Sequence, residues 1–157
     1  IKYGRFFDGA RIGIALYGVN PVPGDKTPLL PVMTFRAAVI AINTVKKGDF
    51  IGYSRGYRAK KDMRVAIIST GYADGLPRAL SNKGMIFCNG QFLKIVGKVS
   101  MDSVAVDAGD ADVKIMDEVV VFGDEITVTD VANRADTLPY EILTGVSERV
   151  KRVYKNP

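Results

Sequence analysis

The tyrosines of this chain that are best placed for proton chemistry lie in three short segments beside glycine or proline. These segments are residues 51–57, 71–75 and 139–141. Glycine and proline favour turns, and turns project side chains from a rigid scaffold. The 157-residue sequence contains no histidine, so acid–base chemistry would use tyrosine, lysine, a carboxylate or the single cysteine.

Tyr53 is a candidate base because two cations, Arg55 and Arg58, follow it closely in the sequence. An ordinary phenol has a pKa of about 10, so a tyrosine that accepts a proton near neutrality needs cationic neighbours or hydrogen-bond donors. The same pattern also fits an amphipathic tyrosine at the end of a strand. The spacing alone leaves both interpretations open.

Two further segments could bind an anion or a polar ligand. Arg11 precedes Gly13, and glycine lets backbone N–H groups approach a phosphate closely. Residues 97–102 are predicted as a strand that ends in Met101 and Asp102. These patterns also fit residues with no functional role, namely an arginine before an ordinary strand, a core methionine and a solvated aspartate.

Composition indicates a globular domain without a membrane span. Hydrophobic residues make up 47% and charged residues 25%, and 22 Lys+Arg against 17 Asp+Glu give a net charge of +5. This mild excess fits diffuse surface charge, an anionic ligand or nucleic acid. The single cysteine, Cys88, excludes an internal disulfide. Its apolar neighbours predict a buried thiol in a reducing compartment.

Residue patterns predict a mainly β chain with one or two short helices. The predicted strands are residues 33–42, 64–69, 85–88, 91–93, 118–122 and 150–154, and residues 126–128 are expected to pair nearby. Asn89-Gly90 predicts a two-residue hairpin turn. The alternation of apolar and polar residues shifts by one position near Asp102, which predicts a bulge or turn. One helix is expected after Thr129 or Asp130, and a second is expected from Thr137 to Gly145.

The first residues differ from the rest of the sequence. Residues 11–18 form an apolar run, and residues 20–24 (Asn-Pro-Val-Pro-Gly) predict a stiff linker, which divides the chain into residues 1–20 and 21–157. The sequence begins without methionine and within a pattern. We therefore expect it to be part of a longer polypeptide.

Taken together and in order, the motifs resemble the carboxy-terminal domain of the alanine racemase family, which uses pyridoxal phosphate. The matching segments are residues 11–18, 52–57, 71–75, 96–102 and 139–141. The resemblance implies that residues 21–157 form a compact, mainly β, barrel-like domain. Residues 1–20 would be the last segment of a preceding α/β barrel. The family's cofactor lysine lies upstream of this region and matches no lysine here, so we expect the chain alone to be inactive.

The resemblance implies a role for five residues around the cofactor. Tyr53 would be the base on one face of the substrate α-carbon, opposite the lysine, which allows L- and D-alanine to be interconverted by two bases. Arg11 would face the pyridine nitrogen. Gly13 and Ile14 would offer backbone N–H groups to the phosphate, and Tyr140 would add its hydroxyl.

Three more residues would contact or organise the substrate. Tyr72 would line the entrance, Met101 would lie near the substrate carboxylate, and Asp102 would orient neighbouring groups. Because the family's chains pair head to tail, Tyr53, Tyr72 and Met101 would complete the site of a second copy in a homodimer. The resemblance further implies a cytoplasmic isomerase that supplies D-alanine as a peptidoglycan precursor.

Two departures and two alternatives accompany this interpretation. Lys98 stands where many relatives have arginine, and Ser103 stands where glutamine is frequent. Serine or a broader set of amino acids is an alternative substrate. A basic β-barrel that binds nucleic acid is a second alternative, with Arg55 and Arg58 beside stacking tyrosines. Acidic residues are scattered throughout the sequence, and we therefore expect no nucleic-acid partner. The sequence has no run of about 18 apolar residues, and we expect no membrane partner.

Overall fold

The computed structural model describes residues 8–22 and 24–155. The strands are β1 (Phe35–Val45), β2 (Phe50–Ile51), β3 (Tyr57–Arg58), β4 (Met63–Ile68), β5 (Met85–Cys88), β6 (Gln91–Ile95), β7 (Val104–Asp107) and β8 (Glu118–Phe122). The helices are α1 (Val128–Ala135) and α2 (Pro139–Gly145), and short 3₁₀ helices occupy Gly13–Tyr17, Tyr53–Arg55 and Arg78–Leu80. The prediction of a mainly β, barrel-like domain with short helices is confirmed.

Six strands close into a barrel in the order β1-β4-β7-β6-β5-β8, with antiparallel neighbours. The long strand β1 closes the barrel by pairing with β8 near its start and with β4 through its second half. Its register shifts between Val39 and Ala41, which is how a bulge bends one strand between two neighbours. At the closure, the rings of Phe35 and Phe122 pack edge to face at 5.7 Å.

Alternating side chains form the core of the barrel. In β7, Val104 and Val106 are buried, whereas the residues between and after them are only partly buried. This period of two places every second side chain inside. Cys88 is also buried and free. Burial, followed by the nearby charge of Asp117, raises the pKa of the Cys88 thiol, which makes it a structural thiol rather than a nucleophile.

The predicted β5–β6 hairpin is confirmed. Asn89 and Gly90 have φ values of 46° and 82°, as the tight two-residue turn requires. The Asn89 side chain also donates to the carbonyl oxygen of Asp112 at 2.9 Å and to the carboxylate of Asp117 at 2.8 Å. The turn is therefore fastened to the loop before β8.

Both predicted helices form, with small differences at their starts. Thr127 caps α1 through a capping box with Asp130, so the cap lies before the residues that the sequence predicted. α2 begins at Pro139, after the cap residue Leu138, and ends at Gly145, where the sequence predicted its end. Thr137 is not its cap residue, and its hydroxyl instead donates to the carboxylate of Glu141.

Three strand predictions are wrong. Residues 97–102 form an irregular loop, residues 126–128 lead into α1, and residues 150–154 form no strand. In the last case Arg152 folds back and donates to the carbonyl oxygens of Val146 and Val150. The apolar run at residues 11–18 contains a 3₁₀ helix. Residues 1–7 of the predicted first segment lie outside the described residues. Within the described ranges, no helix has the length and apolarity needed to cross a bilayer.

Candidate active site

Tyr53 lies on a strained turn at the tip of the β2–β3 hairpin. Tyr53 is 73% exposed, whereas Ile51, two residues earlier, is buried in a small second core with Ala59, Met63, Val65 and Val96. Ser54 and Arg55 have φ values of 54° and 53°, a conformation that is unfavourable for residues with a side chain. The hairpin therefore anchors the backbone while it presents the phenol outward.

The cations near Tyr53 stack on an aromatic ring. The guanidinium groups of Arg55 and Arg58 lie 5.1 Å and 5.8 Å from the centre of the Phe50 ring, within cation–π range. Arg58 also donates to the carbonyl oxygen of Gly48 at 3.2 Å. These contacts fix the base of the turn and keep positive charge beside it.

A glycine-rich contact joins the Tyr53 turn to the loop before Met101. A Cβ on Gly56 would lie 2.9 Å from Cγ and 3.1 Å from the backbone nitrogen of Lys98, so the two segments are in close contact here. Asn82 holds both sides of the contact. Its amide nitrogen donates to the carbonyl oxygen of Gly56 at 2.9 Å, and its amide oxygen accepts from the N–H of Gly97 at 2.7 Å.

The turn that carries Tyr72 is bonded directly to the Met101 loop. The backbone N–H groups of Tyr72 and Ala73 donate to the carbonyl oxygens of Ser100 and Met101, both at 3.0 Å. A Cβ on Gly71 would lie only 2.3 Å from these two oxygens. Tyr72 and Met101 are 48% and 51% exposed. The two side chains therefore project from one connected unit.

Asp102 belongs to the same unit through an arginine from the end of the chain. The guanidinium of Arg149 lies 2.6 Å from the Asp102 carboxylate and 3.5 Å from that of Asp74. The hydrogen bond to Asp102, followed by the charge of Asp74, raises the pKa of Arg149. Asp74 in turn accepts from the N–H of Gly71 at 2.9 Å.

The proposed phosphate-binding residues lie on the first 3₁₀ helix and on α2, and α2 also lines a cavity of about 400 Å³ with Tyr72. Gly13 and Ile14 open a 3₁₀ helix, whose first-turn N–H groups have no partner within the helix. Gly13 has a φ of 66°, and nothing lies within 4 Å of where its Cβ would be. Tyr140, on α2, is 53% exposed. The open space at Gly13 and the half-exposed Tyr140 fit a phosphate, whereas Ile14 is buried.

A cavity of about 260 Å³ connects the two elements that carry these residues. It is lined by Tyr17 and Gly18 of the first segment and by Leu143 of α2. The structure thus brings Tyr53, Tyr72, Met101 and Asp102 into one bonded unit. Gly13, Ile14 and Tyr140 lie on elements that share this cavity, and Arg11 is exposed just before them.

Two residues that organise the site were missed by sequence analysis, namely Asn82 and Arg149. Asn82 has a φ of 60°, and an asparagine before Lys83-Gly84 is an ordinary turn signal that says nothing of its partners. Arg149 lies 47 residues from Asp102. No local pattern reports such a distance.

Comparisons with known proteins agree with this architecture. The family described as "Alanine racemase, C-terminal domain" matches residues 32–154. A catabolic alanine racemase of Rhizobium johnstonii is 43% identical over 149 residues, which cover 93% of this chain and 40% of the relative. An alanine racemase of Halothermothrix orenii is 39% identical, with 99% of this chain and 42% of the relative covered.

Solved structures give the same result. The alanine racemase of Bartonella henselae, with covalently bound pyridoxal phosphate, superposes with a TM-score of 0.87 at 42% identity and covers 91% of this chain. The biosynthetic enzyme of Pseudomonas aeruginosa gives 0.85 at 34% identity and 92% of this chain. The chain spans about two fifths of the length of these proteins. By its sequence and its barrel, the chain belongs to the alanine racemase C-terminal domain family.

Proposed function

We propose that this chain is the β domain of a pyridoxal-phosphate-dependent alanine racemase and that it supplies Tyr53 as one of two bases that interconvert L- and D-alanine. The observation that supports this most strongly is the exposed phenol of Tyr53 on a turn that is fixed from two sides. A base that returns a proton to one face of a carbon must be held in place and must be accessible. Tyr53 meets both requirements.

Each of the remaining residues has a role that fits its position. Gly13, Ile14 and Tyr140 would hold the cofactor phosphate, and Arg11 would face the pyridine nitrogen as a permanent cation. When bound, pyridoxal phosphate supplies an electron sink for negative charge at the α-carbon. Tyr53 would remove or return the α-proton on its own face. A lysine from another part of the full-length enzyme would serve the opposite face.

Substrate selection would fall to the unit that carries Tyr72 and Met101. Both side chains are exposed, and both are fixed through the backbone hydrogen bonds between their segments. Met101 would lie against the substrate carboxylate, Tyr72 would narrow the entrance, and Asp102 would orient the groups around them. The names of the relatives favour alanine over serine or a broader set of amino acids.

The exposed apolar surface of the unit that carries Tyr53 supports a homodimer. Tyr53, Tyr72 and Met101 are all about half exposed or more, and Gly13 and Tyr140 lie on elements that line a cavity. In an isologous dimer, the first group of one protomer would cover the second group of its partner. We therefore propose that activity requires the full-length dimer. A cytoplasmic role in supplying D-alanine for peptidoglycan belongs to the same proposal, and the single buried thiol fits that compartment.

The test is proton exchange at the α-carbon in the full-length enzyme with Tyr53→Phe. Removing the phenolic hydroxyl should lower racemisation by about 10²- to 10⁴-fold, the usual contribution of a positioned acid–base group. In deuterated water, one alanine enantiomer should lose its capacity to exchange while the other keeps it.

Tyr140→Phe is the matched control, because it removes the same hydroxyl from the proposed phosphate site. It should weaken cofactor binding, measured by equilibrium dialysis, while both enantiomers still exchange. Equal deuterium incorporation into both enantiomers by Tyr53→Phe would refute the assignment of the base.

A further inference from the structure

We propose that Arg149 is a positioning residue that holds the substrate-contacting loops in register, a role that rests on the proposed function. Arg149, Asp74 and Asp102 form what we call the Arg149 bridge. One carboxylate belongs to the turn that carries Tyr72, and the other directly follows Met101. The bridge therefore joins the two loops whose side chains would contact the substrate.

The Arg149 bridge depends on the orientation of the guanidinium as well as on its charge. The terminal nitrogen Nη2 of Arg149 lies 2.6 Å from Asp102, and Nε lies 3.5 Å from Asp74. A planar guanidinium can address two carboxylates from different edges, whereas an ammonium group acts as a single point charge. The second carboxylate oxygen of Asp74 accepts from the N–H of Gly71. The bridge is thus continuous with the backbone of the Tyr72 turn.

The base of the bridge is also fixed. The backbone N–H of Arg149 donates to the hydroxyl of Ser147 at 3.3 Å, and the N–H of Ser147 donates to the carbonyl oxygen of Asp74 at 3.2 Å. The Asp74 side chain is only 15% exposed, whereas those of Arg149 and Asp102 are about half exposed. Asp102 thus makes the shorter, solvent-exposed contact with Arg149, and Asp74 makes the longer, more shielded one.

This arrangement predicts which step depends on Arg149. Tyr53 is fixed to the loop through Asn82 and Gly97, without Arg149. Loss of the bridge should therefore disturb Met101 and Tyr72 and leave the base in place. In the full-length enzyme, Arg149→Met should raise the KM for alanine about two- to fivefold, the range expected for a half-exposed ion pair, and leave kcat within about twofold. Arg149→Lys should bring KM only part of the way back to the wild-type value.

Amide exchange provides a readout that does not depend on catalysis. The N–H groups of Tyr72 and Ala73 donate to Ser100 and Met101, so their exchange reports the contact between the loops. Arg149→Met and Asp102→Asn should each speed this exchange about two- to fivefold. The amides of β4 should be unchanged.

The matched control is Arg36→Gln. Arg36 forms a 2.6 Å ion pair with Glu118 at similar exposure, between strands β1 and β8 of the barrel wall, and its loss should leave KM and the two amides as they are. If Arg149→Met keeps both the wild-type KM and the wild-type rates of amide exchange, the proposal is wrong. A parallel fall in kcat would overturn it as well. If the wild-type enzyme does not racemise alanine, the proposed function fails, and the amide exchange still decides whether the bridge holds the loops.

Discussion

Replacing Gly71 by alanine should separate the two loops of the candidate site. The added Cβ would lie 2.3 Å from the carbonyl oxygens of Ser100 and Met101 and 2.4 Å from the carbonyl carbon of Met101. All three are backbone atoms, so no side chain can rotate away to relieve the contact. The chain around Met101 or the turn before Tyr72 must move.

The size of the movement follows from contact distances. A carbon and a carbonyl oxygen normally lie no closer than about 3.3 Å, so the two segments must part by about 1 Å. The hydrogen bonds from Tyr72 and Ala73 are 3.0 Å long, and such a movement breaks both. At about 0.5–1.5 kcal/mol for each bond, the loss of unfolding free energy is about 1–3 kcal/mol.

Urea unfolding of the chain measures this loss, and a thermal scan should show a fall in Tm of about 2–4 °C for each kcal/mol in a domain of this size. Gly145→Ala is the matched control. Nothing lies within 4 Å of its added Cβ, and its φ is not positive. It should be neutral or slightly stabilising. If Gly71→Ala unfolds at the wild-type urea concentration, the close approach of the two loops is wrong.

Two further substitutions test the local physics of the site. Ser54→Gly should raise the free energy of unfolding by about 0.5–1 kcal/mol, because relief of a left-handed conformation outweighs the entropy that glycine gains in the unfolded chain. Ser54→Ala keeps the strained φ and should give no gain in urea unfolding, so an equal gain would contradict this reasoning. Thr70 is 1% exposed, and its hydroxyl has no hydrogen-bond partner among the described residues; Thr70→Val should therefore stabilise the chain by about 1 kcal/mol in the same assay. Thr70→Ser keeps the hydroxyl and loses a buried methyl group, so it should lower the free energy of unfolding. If Thr70→Val also lowers the free energy of unfolding, the Thr70 hydroxyl has a hydrogen-bond partner and the reasoning is wrong.

The features that sequence analysis predicted well are those set by neighbouring residues. Asn89-Gly90 specifies the β5–β6 turn because both residues tolerate positive φ. The end of α2 at Gly145 and the strand at residues 118–122 likewise follow from local patterns. The failed prediction at residues 150–154 has the opposite cause. Its apolar and basic residues suit a strand, but Arg152 instead satisfies carbonyl groups at the end of α2.

The sequence by itself determined the fold class, the family and the candidate base. The alternation of apolar and polar residues, the turn residues and the order of the motifs are all local properties of the sequence. Only the tertiary structure decided how the candidate residues are grouped. Ser100 and Met101 meet Tyr72 and Ala73 through backbone atoms, and Arg149 reaches Asp102 across 47 positions. Such contacts form when the closed barrel brings distant loops together. Backbone carbonyl and N–H groups are the same in all residues except proline, so no pattern of side chains predicts which of them will form hydrogen bonds with each other.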